Sequence, residues 1–151
     1  MSRRGKRIQP RWTHWMFYVD PNAPAPAKVL RRFGASQMEF DIAFLEDILA
    51  RDPSHPDAMR TLAELYTRNG QLRSGLQMDR RVVAANPRDA VAHYNLACSL
   101  ALTKQLDECF QVLRQAIRLG YRDMEHMSMD DDLEVARNDP RWLELFELIK
   151  V

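Results

Sequence analysis

Two cysteines are too few to staple a chain of 151 residues. Small extracellular folds replace missing core with several disulfide bridges, so a reducing compartment is expected. Long apolar runs are missing as well. WTHWMFYV near the N-terminus is short and interrupted by His14, well below the roughly 20 residues that span a bilayer, and a transmembrane segment is excluded. The opening MSRRGKR resembles a basic leader with a twin arginine, but no apolar region of about 7 to 15 residues follows it, so the expected location is the cytoplasm. Glycine is rare, at five residues, and builds no phosphate-cradling loop; there is no His-Glu-x-x-His, no nucleophile elbow and no cysteine pair at zinc spacing. Without a residue on which to start a mechanism, the chain is expected to be no enzyme and to carry neither metal nor cofactor.

What is present is an ordinary globular composition, 46% hydrophobic and 28% charged, enough for one buried core. The net charge of +1 conceals a division. Residues 1–34 hold 8 Lys/Arg against the single Asp20, whereas 35–151 hold 14 against 20. The first stretch therefore reads as a basic arm and the second as the folded domain. From Gln37 onward Leu, Ile, Val, Phe and Met recur three and four residues apart, the spacing of a helix stripe, and nothing alternates strictly enough for a strand. The class is all-α.

Turn residues cut the helical region into short units. Helices are expected at about 36–51, ended by Asp52-Pro53; 57–68, ended by Asn69-Gly70; 72–85, ended by Asn86-Pro87; 89–103; 106–119, ended by Gly120; and 140–150, opened by Asp139-Pro140. Loops of a few residues return each helix antiparallel to the one before. A shift of 34 residues then lays the sequence on itself: Ala58 falls on Ala92, Leu62 on Leu96, Ala63 on Ala97, Leu72 on Leu106, Gln77 on Gln111, Arg80 on Arg114 and Pro53 on Pro87.

These residues resemble the tetratricopeptide repeat (TPR) family. Its pattern Trp-x2-Leu-Gly-x2-Tyr, Ala-x3-Phe, Pro is met by Met59-x2-Leu62-Ala63-x2-Tyr66, Gly75-x3-Asp79 and Pro87 in a unit at 56–89, and by His93-x2-Leu96-Ala97-x2-Leu100, Cys109-x3-Leu113 and Ala116 in a unit at 90–123. Asp79 stands where the pattern has a large aromatic, and Tyr121 where it has proline. The resemblance implies a short right-handed superhelix of antiparallel helical hairpins, with two full repeats, a partial one at 36–55 and a capping segment at 124–151. So short an array needs covering helices or self-association into a homo-oligomer.

Chemistry finds little to work with. His93 and Cys98, five residues apart, lie about 140° around a helix axis and do not converge on one ion. Together with Cys109 they read as packing residues, cysteine being among the most buried types. In the run at 130–134, Asp131 is expected to cap a helix with Glu134 reciprocating. Trp142, Leu145, Phe146 and Ile149 form one stripe of the last helix, expected to pack on the final repeat.

Function is thus expected from surfaces. TPR proteins hold a peptide or helix of a partner protein in a concave groove, and the resemblance places Arg60, Glu64, Thr67, Arg68, Tyr94, Asn95, Cys98 and Leu102 there. The implied role is a non-catalytic interaction module: an adaptor, assembly factor or small chaperone. The alternative is an RNA-associated accessory factor, in which Arg3, Arg4, Lys6, Arg7 and Arg11 contact phosphates while Trp12, Trp15, Phe17 and Tyr18 stack on unpaired bases. The same arm could instead cover the incomplete first repeat or insert into a second protomer.

Overall fold

The computed structural model describes residues 36–148; the basic, aromatic arm and Ile149 lie outside them. Among the described residues the chain is all-helical, with no strand. The elements are α1 (Gln37–Arg51), α2 (Pro56–Arg68), α3 (Leu72–Ala85), α4 (Ala90–Leu102), α5 (Leu106–Arg118), α6 (Met124–Met129), a 3-10 turn (Asp131–Leu133), α7 (Glu134–Arg137) and α8 (Arg141–Glu147).

Local chemistry accounts for the boundaries. Ser36 and Glu39 form a reciprocal capping box at α1. His55 accepts from the Ala58 amide ahead of a proline at the first position of α2. Asp89 accepts from the Val91 and Ala92 amides at α4, and Asp123 from the His126 amide at α6. Helices α2, α4 and α5 end alike. The residue two past the last helical one turns left-handed, and the two amides there close back on the final turn: Gly70 to Thr67 and Gln71 to Tyr66, Lys104 to Ala101 and Gln105 to Leu100, Gly120 to Ile117 and Tyr121 to Ala116. At φ 61° Lys104 does without glycine's freedom what Gly70 does with it at φ 74°.

Helices α1 to α5 pack in chain order, most extensively within the pairs α2–α3 and α4–α5. Gly75 sets the closeness of the first pair. A Cβ there would stand 2.6 Å from Thr67 Oγ1 and 3.3 Å from the Ala63 carbonyl oxygen. Two apolar clusters result. One gathers Ile42, Leu49, Met59, Leu62, Tyr66, Met78 and Val82 with Ala92; the other runs from Leu76 and Tyr94 through Phe110, Leu113, Met127 and Leu133 to Trp142 and Leu145. Burying a side chain such as Phe110 or Leu113, both wholly inaccessible, contributes about 1.5–3 kcal/mol each. Arg141 lies 4.5 Å above the Phe110 ring and bonds to Asp107 and Asp139, fastening α8 to α5. Trp142 and Leu145 are buried in that contact, with Phe146 packed beside them.

The region after α5 departs from expectation. Helix starts recur every 34 residues, at Pro56, Ala90 and Met124, but α6 stops after six residues. The chain turns extended at Asp130, whose carboxylate accepts from the Asp132 amide and caps the 3-10 turn. The cap is therefore Asp130, not Asp131, because the turn opens one residue earlier than the Asp131–Glu134 spacing suggested. Met127 and Leu133, both fully buried, pin this irregular stretch to the α4 side of the core. No six-residue helix declares itself by periodicity.

Candidate functional site

Helix α2, helix α4 and the segment 126–132 enclose a cleft of about 500 Å³, within the range of ligand-sized pockets. Its lining includes Arg60, Glu64, Thr67, Arg68, Tyr94, Asn95 and Cys98, seven of the eight residues picked out by the sequence. Leu102, a full turn beyond Cys98, is half-buried and lies outside the lining. The sequence reading missed Asp79, Ser99, His126, Asp130 and Asp132, which complete the lining with Thr61 and Ala63. Asp79 was visible as a carboxylate in an aromatic slot, and the acidic run announced Asp130 and Asp132, but as capping groups.

Asp130 organises one wall. Its Oδ2 accepts from the Tyr94 hydroxyl at 2.6 Å and from the Cys98 thiol at 3.7 Å, and stands 3.7 Å from His126 Nε2. The Tyr94 ring stacks flat on Tyr121, 4.3 Å apart, and meets His126 at a tilt. Burial, then the neighbouring Cys98 and the bond to Asp130, push the Tyr94 phenol far up; burial and Asp130 do the same to the Cys98 thiol. Cys109, wholly inside, is pushed up to about 12 by burial. Burial thus favours the protonated thiol at both sulfurs. His93 is buried with Nδ1 against the Asp89 carbonyl, on the packed face of α4 and away from the cleft.

The floor carries a second carboxylate. Asp79 is buried, takes a 2.6 Å hydrogen bond from the Ser99 hydroxyl, and has no cation beside it among the described residues. Burial raises its carboxyl from 3.8 to about 6, against the opposing pull of Ser99.

The opposite bank holds the arginines, and both are engaged. Arg60 pairs with Asp89. Burial alone would raise the Asp89 carboxyl, but the Ala92 amide, Arg60 and the Val91 amide together hold it below its ordinary value. Arg60 thus both lines the cleft and braces the start of α4. Arg68 reaches Glu64 at 3.5 Å, an exposed pair worth little. Glu64 and Asn95 stand exposed at the rim.

Fold and site together define an all-helical array with a polar, net-acidic cleft on one side. No family model matches the chain. Over 75 residues, 48% of its length, it is 29% identical to a chloroplastic protein of Arabidopsis thaliana. The matched stretch spans only 22% of that relative. Among the described residues no helix is long and apolar enough to cross a membrane.

Proposed function

We propose that this chain is a TPR-type, non-catalytic interaction module that holds a segment of a partner protein in the cleft between α2, α4 and residues 126–132. The observation that carries this reading is the cleft itself: side chains from helices whose starts are 34 residues apart converge on one ligand-sized depression. The 34-residue register of matching apolar positions supports the same family. In this reading the hairpins form a short superhelix, with α6 to α8 in the place of a third, truncated unit. Buried thiols and an organising Asp130 give the cleft binding surface rather than reactivity, which suits an adaptor, assembly factor or small chaperone.

The test is affinity capture of the tagged full chain from its native lysate, with and without nuclease, beside an Asn95→Arg variant. Asn95 is exposed at the rim, so the added bulk blocks the cleft without entering the core. A stoichiometric protein that survives nuclease and is lost from the variant supports the reading. A partner retained by Asn95→Arg places binding on another surface. Loss of every partner on nuclease treatment turns the assignment to the basic arm and RNA.

A further inference from the structure

The cleft is built for positive charge. Besides Glu64 at the rim, three carboxylates line it, those of Asp79, Asp130 and Asp132, and none of the three meets a lysine or arginine among the described residues. Asp79 carries most of the argument. It is only 8% exposed, one oxygen is satisfied by Ser99, and the other accepts no hydrogen bond from the described residues although no buried side-chain oxygen is left shut away without a partner. That second oxygen therefore opens onto the cleft. Asp132 is half-buried, and its side chain makes no hydrogen bond among the described residues; burial, then Asp130 and Asp131, raise its carboxyl. A buried or half-buried carboxylate lacking a counter-charge is costly, and the cost is relieved when a cation arrives.

The nearby cations cannot supply that charge. Arg60 is held by Asp89, Arg68 lies exposed with Glu64, and the Arg137 guanidinium donates to the Asp130 main-chain carbonyl rather than to its carboxylate. A metal ion does not fit either, because no three His, Cys, Asp or Glu side chains converge on one point among the described residues. Separated carboxylates at floor and wall suit an extended organic cation with several donors.

Resting on the groove reading above, we propose that the cleft accepts an arginine or lysine side chain of the partner segment, seated between Asp79 on the floor and Asp130 and Asp132 on the wall.

The experiment is a titration of the isotope-labelled full chain, followed by amide chemical shifts, with three blocked tripeptides: acetyl-Gly-Arg-Gly-amide and its Gln and Glu counterparts. The arginine probe is expected to shift the amides of Asp79, Asn95, Ser99 and Asp130 saturably, with a Kd on the order of 1 mM and weakening in salt. Asp79→Asn keeps the Ser99 bond and removes the charge; it should weaken that binding by about tenfold, and Asp132→Asn by a smaller factor. Equal response to the Gln probe, undiminished binding by Asp79→Asn, or no cleft shift with arginine overturns the inference. Those results leave the groove reading to the Asn95→Arg capture, which fails or succeeds independently. Cleft amides that move in probe-free protein when Arg3, Arg4, Lys6 and Arg7 are changed to Glu would make the chain's own basic stretch the occupant and overturn the assignment to a partner.

Discussion

Replacing Asp79 by asparagine should make the protein more stable at neutral pH. In the unfolded chain this carboxyl loses its proton near 3.8; in the folded protein burial delays the loss to about 6. Below about pH 4 both states hold the proton and the residue costs nothing; between there and about pH 6 only the folded state holds it, and the penalty grows as the pH rises. Above about 6 both states are ionised and the full penalty stands, about 3 kcal/mol at 1.36 kcal/mol for each pH unit of displacement. Asparagine abolishes that penalty and still accepts the Ser99 hydrogen bond, while its new amide hydrogens, facing the cleft, forfeit about 1 kcal/mol. The net gain is about 2 kcal/mol at about pH 7.5 and vanishes or reverses at about pH 4. Urea unfolding followed by far-ultraviolet circular dichroism, at both values, measures it. A variant less stable than the parent at neutral pH, or displaced equally at both, would refute the reasoning that Asp79 is a buried charge without a partner.

Gly75→Ala should destabilise by about 1–2 kcal/mol, because the new methyl meets Thr67 Oγ1; combined with Thr67→Ala most of that loss should return, a coupling read from a double-mutant cycle in urea. Lys104→Gly should raise stability by roughly 0.5–1 kcal/mol, since relief of the left-handed backbone outweighs the greater freedom of the unfolded chain; a lower melting temperature would contradict it. Neither Cys98 nor Cys109 should react with a disulfide reagent at neutral pH while the protein is native, and both should do so in denaturant. Rapid native labelling of Cys98 would contradict the raised thiol.

The helices were legible because their signals are local. Asp52-Pro53, Asn69-Gly70, Asn86-Pro87 and Gly120 act on the backbone within a turn, and the apolar spacing of α1 to α5 extends over enough residues to fix the period. Helix α6 was not legible, since six residues carry barely two positions of any stripe and the turn at Asp130 depends on Met127 and Leu133 finding the core. The lining contributed by α2 and α4 was implied by the family resemblance of the sequence. Its floor and far wall were not, because the contacts that build them join residues far apart in the chain: Tyr94 to Asp130 across 36 positions, Asp79 to Ser99 across 20. Asp131 seemed the natural cap from its spacing to Glu134, and only the long-range anchoring of the segment moves that role to Asp130.

The two apolar clusters have a consequence for how the molecule comes apart. The cluster built on α4 to α8 holds a series of fully buried large side chains, Leu100, Phe110, Leu113, Leu133 and Leu145 among them, while the cluster built on α1 to α3 has Leu62 alone among the described residues; Val83 rests against both. Opening free energies follow such differences, so amide exchange should begin in α1 to α3 and reach α4 and α5 last. The cleft lies across this seam, with Glu64 and Asp79 on one side and Tyr94 and Asp130 on the other. An occupant held by both sides acts as a keystone, turning two foldons of unequal strength into one cooperative unit.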